Sequence, residues 1–345
     1  MIRDAYGRPL KSLRVSLTRA CNFNCIFCHS EGMPPNGKGL LGPRHYEVIS
    51  NAFKALGVSS VKFTGGEPLL RKDVVEIVSA FSTYPDVSMT TNGYLLKDKA
   101  CDLMDAGLKR VNVSLHSLKP NRFARITGTS PAAFERVLTG IMTAKECGLK
   151  VALNFVLLRG VNEDEVIDII EFAAKNGFNL HIIELHPVGK GAQTFTTMHS
   201  QLEEVKKYLE KRASFKKIRD LHNRPQYYVD GIVVELVEPV GNPYFCAGCT
   251  RLRLSPEGLL YPCLNVNDVY VDLKEIIDKS ESYAEALDNV IDAVLFLNDL
   301  RKPYYMWNLE FEKRINIKIK PPFRLWLPKR AKLQFLRSNL KTVKK

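Results

Sequence analysis

The sequence predicts an α/β protein built on one parallel β-sheet, either open or curled into part of a barrel, with a smaller second module after it. Short runs of β-branched and apolar residues alternate six times with longer stretches of helical period, which is the order expected of βα units. After about Gly189 this alternation ends, and a helical stretch, a strand-like stretch and a Cys- and Pro-containing segment follow through Cys263. The chain is therefore expected to have two unequal parts.

Six strand candidates and five helix candidates make up the first part. The strands are predicted at residues 13–17, 60–63, 87–91, 111–115, 151–157 and 181–185. Helical periodicity predicts helices at 46–56, 74–81, 96–106, 132–147 and 163–174. The second module contains one further strand candidate, residues 226–237. Ligands of such sheets bind in the loops that follow the strands, so we expect the functional residues there.

The composition is that of a soluble globular protein. Of 345 residues, 45% are hydrophobic and 25% are charged, and the absence of a bilayer-length apolar run or a signal-peptide core predicts a cytoplasmic location. The formal net charge is +13, but residues 306–345 hold twelve Lys or Arg against Glu310 and Glu312, which leaves +3 for residues 1–305. The body thus gives no reason to expect a nucleic-acid partner, and particular residues should bind any anion.

Three cysteines follow the first strand candidate at a spacing that suits a metal centre. Cys21, Cys25 and Cys28 lie four and three residues apart on one loop. A cubane iron–sulfur cluster takes one cysteine per iron, so three thiolates would leave the fourth iron open to a substrate or cofactor. The alternative is a zinc ion with His29 as fourth ligand, although adjacent Cys28 and His29 have difficulty reaching one tetrahedral ion.

A second group of three cysteines lies in the second module. The group consists of Cys246, Cys249 and Cys263. Arg251 and Arg253 lie between the last two of these cysteines. Two guanidinium groups beside an open iron would suit a polyphosphate or another anion, because Arg binds such oxygens bidentately. A structural zinc site with a remote fourth ligand is the alternative. The remaining two cysteines lie in helix candidates and are predicted to be buried thiols: Cys101 and Cys147.

Further motifs lie at the ends of the later strand candidates. TGGEP at 64–68 ends the second strand, TTNG at 90–93 ends the third, and SLH at 114–116 ends the fourth. Each is placed where barrel-type sites are assembled. In this order, and together with C-x3-C-x2-C after the first strand, the motifs resemble the radical S-adenosylmethionine (SAM) superfamily.

Within that superfamily, the span from Leu13 to about Tyr305 resembles the GTP 3',8-cyclase family of molybdenum cofactor biosynthesis. The matching stretches are LRVSL at 13–17, TGGEPLL at 64–70, NVSL at 112–115, KV at 150–151 with GVN at 160–162, IE at 183–184, and the segment 246–263. CHSEG at 28–32 is similar to the archaeal branch. The resemblance implies an incomplete six-unit TIM-like barrel over residues 1–190, a C-terminal α+β module with a second iron–sulfur cluster over 191–305, and a basic extension over 306–345.

The resemblance also implies roles for individual residues. One [4Fe–4S] cluster, which chelates the methionine of SAM, would be held by Cys21, Cys25 and Cys28. A second [4Fe–4S] cluster, whose open iron takes the guanine, would be held by Cys246, Cys249 and Cys263. The SAM pocket would be lined by Phe27, Gly66, Ser114 and His186. Contacts with GTP would come from Arg14, Lys62, Thr90, Lys150, Arg251 and Arg253, of which the three arginines are expected to be catalytic.

Some of these assignments have alternatives. Lys62 stands where an Arg is common in the family, which keeps the charge but loses bidentate geometry. A structural or solvated role is the alternative for Thr90 and Lys150. For His186, where a Met is common, the alternative is packing at the barrel rim.

The implied reaction is a radical cyclisation. Reduced flavodoxin or ferredoxin would donate the electron that cleaves SAM to a 5'-deoxyadenosyl radical, and this radical would take the ribose 3'-hydrogen of GTP before attack on guanine C8. The product would be (8S)-3',8-cyclo-7,8-dihydroguanosine 5'-triphosphate, a substrate for cyclic pyranopterin monophosphate synthase. Cationic residues around the triphosphate would fix its position while the barrel walls exclude water.

The chain departs from the family at its C-terminal end. Bacterial members end in a paired glycine that reaches the active site, whereas Gly258 is the last glycine here. The extension, with segments such as FRLWLPKR at 323–330, could contact a membrane surface, RNA or an acidic protein, or remain a solvated tail without function.

Two other functions compete with the cyclase. One is another radical SAM enzyme with an auxiliary cluster, acting on a peptide or a different anion. Three cysteines after the barrel, with an Arg-x-Arg between the last two, favour the cyclase. The other is a zinc-containing nucleic-acid-binding protein that uses the basic extension, which predicts two zinc ions and a strongly salt-dependent affinity.

Overall fold

The computed structural model describes residues 1–33 and 39–304. The predictions made for the 306–345 extension therefore lie outside the described residues. In the described part, no helix has both the length and the apolar character needed to cross a membrane.

Six parallel strands form the centre of the molecule, and all six strand candidates of the first part are confirmed. They are β1 (Ser12–Ser16), β2 (Ser60–Thr64), β3 (Asp86–Thr91), β4 (Arg110–Ser114), β5 (Lys150–Leu157) and β6 (Asn179–Glu184), paired side by side in chain order. The helices between them are α1 (Pro43–Ala55), α2 (Val74–Ser79), α3 (Ala100–Asp105), α4 (Pro120–Thr127), α5 (Ala132–Glu146) and α6 (Val166–Asn176). This arrangement is the partial barrel that the sequence predicts.

The sequence of each strand divides its side chains between two environments. Leu13 and Val15 of β1, like Val61 and Phe63 of β2, are completely buried in the hydrophobic core. The residues between them are polar, and because successive side chains of a strand point to opposite faces, these polar groups face the barrel interior. Alternation within the strands thus places a charged cavity inside an apolar shell.

The C-terminal module adds strands to both edges of the same sheet. It consists of α7 (Lys190–Met198), α8 (Glu203–Arg212), β7 (Phe215–Arg219), β8 (Arg224–Val229), β9 (Ile232–Val237), α9 (Pro243–Ala247), β10 (Arg251–Leu254), β11 (Leu259–Tyr261), β12 (Val271–Asp272), α10 (Leu273–Lys279) and α11 (Tyr283–Leu300). Strand β9 pairs in parallel with β6, and β10 pairs in parallel with β1. The full strand order is β12-β11-β10-β1-β2-β3-β4-β5-β6-β9-β8-β7.

Several elements differ from the sequence prediction, and strands β7, β10, β11 and β12 were not among the predicted strands. The single strand predicted at 226–237 is the hairpin β8–β9, because Asp230 and Gly231 adopt φ values of 49° and 84° and form its tight turn. The helix predicted at 96–106 is divided into a 3₁₀ turn, Leu96–Asp98, and α3. Helix α4 was not among the predicted helices.

The prediction that Cys101 and Cys147 are separate buried thiols is wrong. Cys101 of α3 is exposed, Cys147 at the end of α5 is half-buried, and the two form a disulfide bond. Periodicity could assign each cysteine to a helix, but it could not reveal that α3 and α5 are neighbours.

Candidate active site

A cavity of about 310 Å³ lies inside the barrel and is lined by residues from both parts of the chain. The strands contribute inward-facing polar groups such as Arg14, Lys62 and Asn112. The first cysteine loop contributes Phe27 and His29. All three cysteines of the second group also line the cavity, as Cys246, Cys249 and Cys263. The two cysteine segments, 225 residues apart between Cys21 and Cys246, therefore meet at one site.

The first cysteine loop brings three free thiols together between β1 and α1. Cys21 is exposed, whereas Cys25 and Cys28 are half-buried. Burial, followed by the charges of Cys28 and Cys21, raises the pKa of Cys25 to about 12. The negative charges of neighbouring thiolates repel one another, so the thiolates need a cation close by. The iron ions of a cluster with three cysteine ligands provide that positive charge. The donor set fits the predicted cluster.

The TGGEP turn supports this loop from the end of β2. Gly66 donates its N–H to the carbonyl of Thr18 at 2.7 Å, and a Cβ at Gly66 would lie 2.2 Å from the Ala20 carbonyl oxygen. The buried Glu67 carboxylate accepts hydrogen bonds from the Thr91 hydroxyl and the Asn92 N–H, both at 2.7 Å. The motifs at the ends of β2 and β3 are thus joined through one carboxylate beneath the cysteine loop.

The residues predicted for the SAM pocket lie beside this loop. Phe27, Ser114 and His186 line the cavity, and the Phe27 ring packs edge-on against His116 with centroids 4.6 Å apart. Burial lowers the pKa of His186 to about 4, so its imidazole is neutral. Its Nδ1 is buried and has no hydrogen-bond partner among residues 1–33 and 39–304. An unsatisfied buried nitrogen at this place fits a polar ligand such as an adenosyl group.

The second cysteine group surrounds another side of the cavity. Cys246 lies in α9, Cys249 lies two residues before β10, and Cys263 follows β11. All three are free and half-buried, and burial raises the pKa of Cys263 to about 11. The Asn265 Oδ1 atom beside Cys263 is also buried without a hydrogen-bond partner in the described chain. This set of three thiols likewise fits a cluster with one open position.

Neither group forms a site for a single metal ion. Among the residues that the structure describes, no three His, Cys, Asp or Glu side chains are arranged to hold one ion. His29, the fourth ligand in the zinc alternative, instead accepts a hydrogen bond at its Nδ1 from the Glu31 N–H at 2.9 Å.

Three arginines predicted to contact GTP converge on the cavity. Arg14 of β1 lies in register with Arg253 of β10, and Arg251 lies in register with Ser12. The Glu31 carboxylate accepts hydrogen bonds from Arg14 Nε at 2.7 Å and from Arg253 Nη1 at 3.2 Å. Burial alone would raise the pKa of Glu31, but the Arg14 guanidinium holds it well below its usual range.

The other residues predicted to contact GTP do not all reach the cavity. Lys62 and Thr90 line the cavity, and the Lys62 ammonium donates to Asn112 Oδ1 at 3.1 Å. Burial lowers the pKa of Lys62 well below its ordinary value. Lys150 is exposed at the first position of β5 and is not among the residues that line the cavity. The structure therefore does not bring Lys150 to the site.

Sequence reasoning missed a second cationic group in the cavity. Arg219 and Arg224, at the ends of β7 and β8, form ion pairs with the buried Glu235 of β9 at 3.0 and 2.8 Å. Arg110 of β4 also lines the cavity and pairs with Asp86 at 2.7 Å. Alternation in β9 marks Glu235 as the polar residue in an apolar strand, but only the β6–β9 pairing places this carboxylate at the barrel.

The chain matches two known families in succession. Residues 15–173 match the Radical SAM superfamily, and residues 178–304 match Molybdenum Cofactor Synthesis C. A probable GTP 3',8-cyclase of Aeropyrum pernix is 42% identical over 317 residues, which cover 90% of this chain and 89% of the relative. A probable GTP 3',8-cyclase of Saccharolobus islandicus is 44% identical over 312 residues, which cover 89% of this chain and 99% of the relative.

Solved structures show the same fold at lower identity. Streptococcus suis SuiB bound to S-adenosylmethionine superposes with a TM-score of 0.59 at 18% identity, covering 80% of this chain and 65% of SuiB. Native anSMEcpe with bound AdoMet superposes with a TM-score of 0.53 at 16% identity, covering 80% of this chain and 82% of that protein. These similarities support the partial barrel and, at such identities, nothing beyond the fold.

Proposed function

Since this chain belongs to the radical SAM superfamily and, within it, to the GTP 3',8-cyclase family, we propose that it converts GTP to (8S)-3',8-cyclo-7,8-dihydroguanosine 5'-triphosphate. This conversion is the first step of molybdenum cofactor biosynthesis, in keeping with the Molybdenum Cofactor Synthesis C match. One observation carries the proposal. A single cavity is lined both by the second cysteine group and by the cationic side chains that a nucleoside triphosphate requires.

The cofactors are S-adenosylmethionine and two [4Fe–4S] clusters. Cys21, Cys25 and Cys28 would hold one cluster, and the second cysteine group would hold the other, which matches the free thiols of both sets. When bound, the first cluster and SAM supply the radical that takes a hydrogen atom from the substrate.

The protein positions SAM through backbone and ring contacts. Gly66 lets the turn after β2 approach the cysteine loop closely, which fixes the loop that would hold the cluster. The Phe27 ring would pack against the cofactor, and the neutral His186 Nδ1 and the Ser114 hydroxyl would hydrogen-bond to it. These contacts would orient SAM toward the barrel interior.

The protein positions GTP by charge. Arg14, Arg251 and Arg253 would bind the triphosphate, and Lys62 and Thr90 would contact the nucleotide from β2 and β3. Fixed guanidinium groups bind phosphate oxygens bidentately and remain charged at neutral pH. Holding the nucleotide in one pose inside the barrel keeps water and other hydrogen donors away from the reacting ribose.

The reaction also requires an electron donor and a consumer of the product. We propose reduced flavodoxin or ferredoxin as the donor and the cytoplasm as the location. Cys21 is exposed, so electrons could reach the first cluster from the surface. Cyclic pyranopterin monophosphate synthase would then consume the product.

Anaerobic turnover tests the proposal. Iron-reconstituted, reduced protein is incubated with SAM and GTP, and mass spectrometry measures 5'-deoxyadenosine and an isomer of GTP. We expect both products from the natural chain, neither from Cys21→Ala, and only deoxyadenosine from Cys263→Ala. The double variant Cys101→Ala/Cys147→Ala is the matched control, because these cysteines lie outside the cavity. If deoxyadenosine forms while GTP returns unchanged, the cyclase assignment is wrong, and a peptide or another anion is the substrate.

A further inference from the structure

We propose that Glu31 is a positioning residue of the substrate site, which holds Arg14 and Arg253 in the orientation that receives the triphosphate and links the first cysteine loop to the second cysteine segment. This inference rests on the proposed function. Glu31 belongs to the short 3₁₀ turn Ser30–Gly32, immediately after the first cysteine group. Its carboxylate contacts residues of β1, β2 and β10.

The carboxylate accepts four hydrogen bonds from three residues. Arg14 donates through Nε to Oε2 at 2.7 Å and through Nη2 to Oε1 at 2.5 Å, which is the fork geometry of a bidentate pair. Thr64 donates its hydroxyl to Oε1 at 2.8 Å, and Arg253 donates from Nη1 to Oε2 at 3.2 Å. Arg14 and Arg253 also line the cavity, so Glu31 contacts both guanidinium groups at the wall of the ligand space.

The backbone adopts an uncommon conformation to place this carboxylate. Ser30 and Glu31 have φ values of 47° and 55°, and Gly32 continues with 62°. Two consecutive residues with side chains in this region are costly, and such conformations persist where surrounding contacts determine them. The Glu31 N–H donates to His29 Nδ1 at 2.9 Å, and Glu31 is 4% exposed. The strain is offset by contacts that aim the carboxylate inward.

The same turn touches the second cysteine segment. A Cβ at Gly32 would lie 2.5 Å from the carbonyl oxygen of Leu264, the residue after Cys263. Arg253 lies between Cys249 and Cys263 along the chain. Glu31 and Gly32 thus join the loop that would hold SAM to the segment that would hold the substrate.

The three arginines need a counter-charge in order to stay together. Burial and then the charge of Arg14 lower the pKa of Arg253, which shows that these guanidinium groups disfavour one another. A buried carboxylate shared between two of them offsets that repulsion and fixes their planes. Without it, the arginines would bind the triphosphate in several poses, and fewer of these would place the ribose beside the radical source.

Glu31→Gln tests this role, because glutamine keeps the size and loses the charge. We expect GTP to bind about tenfold more weakly, because Arg14 and Arg253 lose their charged hydrogen bonds to the Glu31 carboxylate. We also expect more 5'-deoxyadenosine to form for each GTP converted, since poorly oriented GTP leaves the radical without its target. Equilibrium binding of GTP to the reconstituted protein gives the first quantity, and mass spectrometry of single turnovers gives the second.

Glu257→Gln is the matched control. Glu257 forms a bidentate pair with Arg19 at 2.6 and 2.9 Å, and this pair also joins the first cysteine loop region to the C-terminal module. Neither residue of the pair lines the cavity. We expect Glu257→Gln to leave the GTP dissociation constant and the product ratio unchanged within about twofold.

Several outcomes would overturn the inference. Unchanged binding and product ratio in Glu31→Gln would do so, and so would tighter GTP binding, because the carboxylate would then act only as a competing charge. If Glu257→Gln changed GTP binding and the product ratio as much as Glu31→Gln does, Glu31 would contribute only to general packing. If Glu31→Gln loses iron or does not fold, Glu31→Asp, which keeps the charge but shortens the reach, is measured in the same way. If the natural chain binds but does not convert GTP, the proposed function fails while the binding comparison still decides the role of Glu31.

Discussion

At the scale of single residues, Gly66 shows how one missing side chain supports the candidate cluster site. Its N–H bonds to Thr18, and the next N–H, of Glu67, bonds to Ala20 at 2.8 Å. The turn at Gly66 and the segment that contains Thr18 and Ala20 approach each other so closely that a side chain does not fit. A Cβ at Gly66 would lie 2.2 Å from the Ala20 carbonyl oxygen. The position of Cys21, which follows Ala20 in the chain, therefore depends on Gly66 in the loop after β2.

We expect Gly66→Ala to displace Ala20 and Cys21 and to lower the rate of 5'-deoxyadenosine formation more than about a hundredfold. GTP affinity should change less than about threefold, because the arginines lie on other strands. Deoxyadenosine formation by mass spectrometry and equilibrium GTP binding provide the two measurements. Gly42→Ala is the control, since a Cβ there would lie 3.7 Å from its nearest neighbour, His45 Nδ1. Normal deoxyadenosine formation by Gly66→Ala would contradict this account of the loop.

At the scale of elements, the hairpin β8–β9 carries charge into the barrel through one buried carboxylate. Glu235 is 1% exposed and accepts hydrogen bonds from Arg219 at 3.0 Å and from Gln226 at 2.8 Å, and it pairs with Arg224. Burial alone would raise its pKa, but Arg224, His181 and Arg219 together lower it to about 2, from an ordinary value of 4.5. The carboxylate therefore stays charged in the folded chain and fixes two arginines at the cavity wall.

A lowered pKa in the folded state means that Glu235 stabilises the fold fully above pH 4.5 and loses this contribution as the pH falls towards 2. We expect Glu235→Gln to lower the unfolding free energy at pH 7 by about 3 kcal/mol, because two arginines lose their counter-charge. The difference between variant and natural chain should shrink between pH 4.5 and pH 2. Urea unfolding followed by circular dichroism measures both effects. Glu204→Gln, at an exposed position of α8, should show neither effect. If the difference in unfolding free energy between Glu235→Gln and the natural chain stayed constant from pH 4.5 to pH 2, the lowered pKa of Glu235 would be contradicted.

At the scale of the whole molecule, the sequence predicts what depends on local order and leaves out what depends on long-range pairing. Six strands and both cysteine groups follow from periodicity and spacing, and the structure confirms the strands and brings each group together. The Cys101–Cys147 disulfide and the position of Arg219 and Arg224 depend on which helices and strands become neighbours. Glu31 was visible only as part of a motif, because its role depends on the β1–β10 pairing that places Arg14 beside Arg253.

The distribution of charge is also a property of the whole molecule. Residues 1–305 carry a net charge of only +3. Nine Lys or Arg side chains of the described residues nevertheless line the candidate active-site cavity: Arg8, Arg14, Lys62, Arg110, Arg219, Arg224, Arg251, Arg253 and Lys302. Folding thus collects cations from both parts of the chain into a concave site, where their field acts on a single small anion rather than on an extended polyanion.

This concentration of charge predicts that affinity follows the number of phosphates on the ligand. GTP should bind about tenfold more tightly than GDP, and GDP about tenfold more tightly than GMP. The reason is that the loss of each phosphate removes charge-assisted hydrogen bonds to the arginines. Raising the ionic strength should weaken GTP binding while leaving guanosine binding unchanged, since only the charged ligand is screened. Equilibrium binding to the reconstituted protein at two salt concentrations measures both trends. Equal affinities for GTP and guanosine would mean that the arginines serve the fold alone, and the triphosphate would then have to be recognised elsewhere.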